Sequence, residues 1–161
     1  MKMINMMSPK TVVKLLSYWP PYLMAGVKIE HVQEDFKKIV VKMRQRIWNT
    51  NYVGSHFGGS LYSMTDPFFM FMLLENLKDD HIVWDQSAEI EFLKPAKGEV
   101  TAVFEITDKE INEIKAQALS EFSFSKTFGV NIVDENRAVV AKVKKGLYVR
   151  RKDAKKRFSK K

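Results

Sequence analysis

The residues best suited to chemistry lie in one stretch, residues 51–69, which reads NYVGSHFGGSLYSMTDPFF. Gly58 and Gly59 precede a long apolar run, where the first N–H groups of a helix would have no partner within that helix. Such amides can bind a carbonyl oxygen as negative charge develops on it, which makes the Gly-Gly pair a candidate oxyanion hole. The same glycines also suit a tight turn that lets the helix pack closely.

Asp66 allows two interpretations. Because Asp-Pro is the expected N-cap and first position of a helix, Asp66 is a candidate cap for a helix that begins at Pro67. A carboxylate in an apolar segment is also costly to desolvate, and there it could activate water or attack a carbonyl carbon. The histidines lack metal-ligand spacing, so we predict no metal site and a structural or surface role for each: His31, His56 and His81.

The segment resembles the motif of the hotdog-fold acyl-CoA thioesterases, in particular the phenylacetyl-CoA type. That motif runs from an asparagine through a glycine and His-Gly-Gly to an aspartate. The residues in the same register here are Asn51, Gly54, Gly58, Gly59 and Asp66. Phe57 takes the position of the family's histidine, and His56 lies one residue earlier. His-Phe-Gly-Gly is similar to a bacterial branch known mainly as a domain of unknown function.

The resemblance covers about residues 36–150, including the turn from Lys94 to Glu99. It implies an α+β hotdog fold, in which an antiparallel β-sheet wraps around a long central α-helix. It also implies that the active site forms between two protomers. The protein is therefore expected to be a homo-oligomer, either a dimer or a dimer of dimers.

The resemblance also implies a role for each matched residue. The Gly58 N–H, with that of Gly59, would polarise the thioester carbonyl. Asp66 would be the general base or the nucleophile, and Asn51 would orient the substrate or a water molecule. His56 would replace the missing motif histidine. Alternatively, Phe57, which occupies the motif position, would line the acyl pocket.

Two further residues are carried over as lining the substrate site, Phe57 and Asp85. Asp85 lies ten residues before Pro95, at a position that faces the active site in related thioesterases. It would bring a second carboxylate near Asp66, although a salt-bridged strand residue is the alternative.

Hydrophobic periodicity predicts the elements that position these residues, in the order helix, two strands, buried helix, two strands, helix, two strands. The buried helix, Leu61 to Leu77, is apolar nearly all round, which is typical of a helix enclosed on most sides. With the resemblance counted, it begins near Gly58 and bends at Pro67. The other predicted features are an N-terminal helix from Ser8-Pro9 to Pro20-Pro21, strands within 27–33 and 35–47, alternating Ala88, Ile90 and Phe92, a capping box at Thr107 and Glu110, and strands at 122–132 and 139–149.

Composition limits the function classes. The chain has 161 residues, 45% of them apolar, which suits one domain over residues 1–150 and a flexible basic tail over residues 151–161. Cysteine is absent, so thiol nucleophiles, thiolate metal sites and disulfides are excluded. The net charge is +8, but residues 149–161 hold eight Lys or Arg against one Asp. The remainder is nearly neutral and lacks a basic stripe, which disfavours a nucleic-acid partner.

The sequence therefore predicts an enzyme that hydrolyses an acyl-CoA or another acyl thioester. It would need no cofactor, because coenzyme A enters as part of the substrate. The alternative is a non-catalytic hotdog module that binds acyl-CoA or fatty acyl ligands, and a nucleic-acid or anionic-surface binder acting through the tail is a third interpretation. No apolar run reaches the roughly 20 residues of a membrane span, and no signal-peptide pattern is found, so a cytoplasmic location is expected.

Overall fold

The computed structural model describes residues 7–154. Six antiparallel strands form one sheet. They are β1 (Val27–Val32), β2 (Lys38–Arg44), β3 (His81–Phe92), β4 (Glu99–Glu105), β5 (Phe124–Asp134) and β6 (Val139–Arg151), arranged in the order β1-β2-β4-β5-β6-β3. The α-helices are α1 (Pro9–Leu15), α2 (Pro20–Ala25), α3 (Gly58–Ser63), α4 (Phe68–Leu77) and α5 (Asp108–Ser120). The predicted α+β hotdog architecture is confirmed.

The central helix is divided into two parts. α3 begins at Gly58, and α4 resumes at Phe68 after a turn in which the Asp66 N–H donates to the Ser63 carbonyl. Pro67 has no N–H to continue the helical hydrogen-bond ladder, which explains an interruption at this point. Because the chain leaves helical geometry here, Asp66 lies at a corner between α3 and α4.

The sheet wraps around α4 through an aromatic core. The Phe69 ring stacks on Phe128 of β5 with centroids 4.9 Å apart, and its centroid lies 5.1 Å from that of Phe104 on β4. Phe68 lies 5.1 Å from the same Phe104 ring. Aromatic pairs at these separations add to the free energy gained by burying their apolar area, so this cluster holds the central helix against the sheet.

The strands and N-terminal helices differ from prediction in two places. Pro20 and Pro21 do not only end the first helix but also begin α2, since proline suits the first turn of a helix. β3 starts at His81, well before Ala88, and lies at an edge of the sheet. Ala88 and Phe92 of this edge strand are exposed in the single chain.

The C-terminal part of the chain is described only to residue 154. β6 ends at Arg151, one residue beyond the predicted domain boundary, and the Arg151 guanidinium pairs with Asp153. The rest of the predicted tail, residues 155–161, lies outside the described residues. Within residues 7–154, no helix is both long enough and apolar enough to cross a membrane.

Candidate active site

Asn51 organises the loop that leads to α3. Its Oδ1 accepts from the N–H groups of Val53 and Ser55, both at 3.1 Å. Its Nδ2 donates to Ser55 Oγ at 2.9 Å and to the His56 carbonyl at 3.3 Å. These four bonds use the full donor and acceptor capacity of a primary amide. A direct bond from Asn51 to a substrate would therefore break one of the bonds that shape the loop.

His56 is buried and turned toward the β3–β4 turn. Its Nε2 lies 2.9 Å from the Gly98 carbonyl, and its backbone N–H donates to the Ala96 carbonyl. Nδ1 has no hydrogen-bond partner in the described part of the chain. Burial lowers the pKa of the imidazole, and the bond to Gly98 opposes this shift only in part. The ring is thus neutral, with Nε2–H as donor, and joins the glycine-rich segment to the turn.

This burial makes stability depend on pH. In the unfolded chain His56 binds a proton as the pH falls through about 6.5, whereas the folded chain takes up that proton only at lower pH. The unfolded state then binds more protons, so the free energy of unfolding falls below pH 6.5, by at most about 1.4 kcal/mol per pH unit. We expect His56→Gln to flatten the fall in Tm between pH 7 and pH 5. His31→Gln, at an exposed position, should leave the slope as it is in the native chain.

The amides of Gly58 and Gly59 stand at the start of α3 without acceptors among residues 7–154. The Phe57 ring lies against Gly59, since a methyl group added to Gly59 would collide with it. A methyl group on Gly58 would lie 3.0 Å from the end of the Phe92 ring of β3. The two exposed rings thus lie against the Gly58-Gly59 pair.

Asp66 does not cap α4. The helix has Pro67 at its N-cap, and no side chain caps it, so the capping interpretation is wrong. Instead, Asp66 Oδ1 accepts a hydrogen bond from Lys145 Nζ on β6, and the Asp66 carbonyl accepts one from the Tyr22 hydroxyl. The Asp66 side chain is 41% exposed, so its carboxylate is accessible to solvent while it pairs with the buried Lys145.

Lys145 brings Asp66 and Asp85 together. Its side chain is only 2% exposed, and its Nζ lies 3.2 Å from Asp85 Oδ1 and 3.4 Å from the Tyr62 hydroxyl. Burial alone lowers the pKa of this ammonium, but the hydrogen bond and charge of Asp66, together with the charge of Asp85, outweigh burial and raise the pKa. Lys145 is therefore a cation between two carboxyl groups.

Asp85 is the more enclosed of the two acids. Its pKa is raised, first by burial and also by the charge of Asp66, while Lys145 opposes the shift. Although Asp85 Oδ1 is close to Nζ, it makes no hydrogen bond within the described residues. Asp85 is therefore a salt-bridged strand residue, and it is also a second carboxyl group near Asp66, because both acids pair with Lys145.

A cavity of about 330 Å³ opens beside this cluster, between α3 and strands β3 and β6. Its lining consists of Tyr62, Asp85, Gln86, Ser87, Ala88, Ile90 and Lys145. A larger space of about 830 Å³ lies between the N-terminal helices and strands β1 and β2, and none of the predicted site residues lines it. Among residues 7–154, no group of three acidic or histidine side chains is placed to hold a metal ion.

The sequence reading missed Lys145, although the strand contains a signal for it. In β6 the buried positions Ala141, Val143, Leu147 and Val149 follow a period of two, and Lys145 occupies the inward position between them. A lysine at an inward position of an otherwise apolar strand requires a buried anionic partner. Asp66 and Asp85 are those partners.

The elements and their order define a hotdog fold, and comparisons with known proteins agree. Over residues 10–149 the sequence matches the family described as a domain of unknown function (DUF4442), and the chain belongs to that family. No curated protein matches it.

Solved structures share the fold at low sequence identity. A Pseudomonas aeruginosa protein of unknown function, described as a probable thioesterase, superposes with a TM-score of 0.79 at 17% identity, over 89% of this chain and 97% of that chain. A Haemophilus influenzae thioesterase gives 0.64 at 14% identity, over 88% and 90%. A mutant of the phenylacetic acid degradation protein of Thermus thermophilus gives 0.56 at 18% identity, over 80% and 97%.

Proposed function

We propose that the protein hydrolyses an acyl thioester such as an acyl-CoA, with Asp66 as the acting carboxylate. The observation that carries this proposal is the Asp66 side chain, which is exposed to solvent yet bound from the inside by the buried Lys145. An accessible carboxylate fixed in one orientation suits a general base, because proton transfer requires the acceptor within hydrogen-bond reach of the proton.

In the simplest form of the reaction, Asp66 takes a proton from water while the water oxygen attacks the thioester carbonyl carbon. The carbonyl oxygen becomes an oxyanion, which the free N–H groups of Gly58 and Gly59 would stabilise. Collapse of this intermediate breaks the carbon–sulfur bond, and Asp66 returns the proton to the thiolate. The products are a carboxylic acid and a thiol. Covalent attack by Asp66, followed by hydrolysis of the anhydride, is the other route.

Helix geometry supports a site shared between two copies of the chain. α3 has six residues, so at a rise of 1.5 Å per residue it is about 9 Å long from the Gly58 amide to the end of its last turn. Asp66 follows that last turn, so it and the Gly58 amide of the same chain are too far apart to contact one carbonyl group. The amides of one protomer would instead face Asp66 of another.

The edge strand offers a place for the second copy. β3 is 12 residues long, and its outer side pairs with no strand among residues 7–154. A long edge strand with exposed apolar side chains, here Trp84 and Phe92, is a template for pairing with another chain. A homodimer joined at β3 would bring a second protomer beside the amide that Phe92 flanks.

A non-catalytic acyl-binding module is the second candidate. Phe57 stands at the motif histidine position, and the neighbouring His56 ring is directed at Gly98. No imidazole lines the cavity beside Asp66 among the described residues. Chemistry that needs a histidine at this motif would fail here, whereas a free amide pair and a lined cavity would still bind a thioester.

The test is thiol release from short, medium, long and aromatic acyl-CoAs, with binding of the same compounds measured by calorimetry. Turnover of at least one compound supports the hydrolase and identifies its acyl class. Binding without turnover of any compound supports the module instead. The proposal includes a cytoplasmic location and no cofactor other than the coenzyme A of the substrate.

A further inference from the structure

Lys145 is placed where a charge is costly. It lies at an inward position of β6, where its partners in the neighbouring strands are Ala88 of β3 and Phe128 of β5, neither of them charged. Its side chain is 2% exposed. A buried ammonium persists only with close anionic partners, and replacing a whole buried ion pair or triad by apolar residues of similar size often does not weaken a fold. Packing alone therefore does not explain why this position is a lysine.

Titratable groups reach Lys145 from each element packed around its ammonium. Asp66 comes from the corner between α3 and α4, Asp85 from β3 and Tyr62 from α3. Tyr22 of α2 approaches the same cluster and donates its hydroxyl to the Asp66 carbonyl. Two acids thus share one cation, and the phenols supply neutral polar contacts.

We propose that Lys145 is a positioning residue that joins Asp66 and Asp85 into one ion triad, so that Asp66 works as a free carboxylate beside a second acid. This inference rests on the proposed hydrolysis, in which Asp66 is the acting group. It assigns a role to a residue that the catalytic motif does not include.

The physical reason is repulsion between like charges. Two carboxylates close together cannot both ionise readily, and the pair then keeps a shared proton to higher pH. The Lys145 ammonium offsets part of that penalty because it lies close to an oxygen of each carboxyl group. Burial and then the charges of Asp66 and Asp85 also raise the pKa of Tyr22 well above its ordinary value, so its hydroxyl stays neutral beside the two acids.

The test is the pH dependence of kcat in Lys145→Met, with Lys144→Met as the matched control. Lys144 is the next residue of the same strand, but it is exposed and pairs on the surface with Glu89. We expect the acid limb of the Lys145→Met profile to move up by roughly 1 to 3 pH units. The Lys144→Met profile should coincide with the native one.

Asp85→Asn provides the reciprocal change. With one acid removed, Asp66 faces only the ammonium, so the acid limb should move to lower pH than in the native chain. In the double variant Lys145→Met/Asp85→Asn, it should return toward the native position. An acid limb at the native pH in Lys145→Met, when that variant is folded, overturns the proposal. If Lys145→Met does not fold, an unchanged acid limb in Asp85→Asn overturns it.

A second readout separates this inference from the proposed function. The carboxyl carbons of Asp66 and Asp85 can be titrated by ¹³C NMR in the native chain and in Asp85→Asn, without any substrate. If the native chain hydrolyses no acyl-CoA, the proposed function fails, and the role of Lys145 in catalysis fails with it. The triad itself is then confirmed if the Asp66 titration responds to Asp85→Asn, and refuted if it does not.

Discussion

Asp66→Asn should reduce kcat by about 10²- to 10⁴-fold on any acyl-CoA that the native chain hydrolyses, the range typical of a lost general acid–base group. The amide has nearly the shape of the carboxylate but cannot take a proton from water or attack a carbonyl. The loss should appear in kcat, while KM changes little, because the thioester is bound by other groups. Initial rates of thiol release over a range of substrate concentrations separate the two constants.

The variant should remain folded. Lys145 keeps Asp85 at 3.2 Å, so the buried ammonium does not lose its last counter-ion, and the amide oxygen can still accept its hydrogen bond. Circular dichroism and Tm check this point. Asp79→Asn, at an exposed turn position, is the control for removing one negative charge. Turnover by Asp66→Asn equal to that of the native chain would show that Asp66 is not the acting group.

The fold could be predicted from the sequence because most of its signals are local. Alternation of apolar and polar residues with a period of two predicts the strands, and the long apolar run predicts the enclosed helix. Thr107 and Glu110 form the predicted capping box of α5. The failures lie at the edge of the sheet. Alternation shows which side of a strand is apolar, but it does not show whether another element covers that side, and Ala88 and Phe92 are exposed in the single chain.

The candidate site could be predicted only in part. The two glycines lie at the start of α3, as their position before the apolar run predicts, whereas the N-cap rule fails for Asp66. The hydrogen-bond partners of the polar side chains depend on residues far along the chain. Asp66 meets Lys145 across 79 residues and His56 meets Gly98 across 42, and no local pattern gives either contact. The alternating pattern of β6 places Lys145 at an inward position, but it does not show which acidic residues pair with it.

Gly58→Pro removes one candidate oxyanion donor with little change to the backbone. Gly58 is the first residue of α3, where proline is well tolerated, and its N–H has no acceptor within residues 7–154. Phe57 already has an extended conformation, with φ −63° and ψ 128°, as a residue before proline requires. Loss of the donor should lower kcat by about 10²- to 10³-fold. Gly58→Ala, which keeps the N–H and displaces only the exposed end of Phe92, should lose much less.

Mixing the two inactive variants then tests whether the site is shared. In a dimer of Asp66→Asn with Gly58→Pro, one site combines the intact amide of the first chain with the intact aspartate of the second, and the other site carries both defects. Random assortment makes about half of the dimers mixed, so co-expression should restore roughly one quarter of native activity. Light scattering verifies that the mixture is oligomeric. Because a site contained within one chain would be defective in every protomer of the mixture, recovery well above the activity of either variant alone requires that two chains build each site.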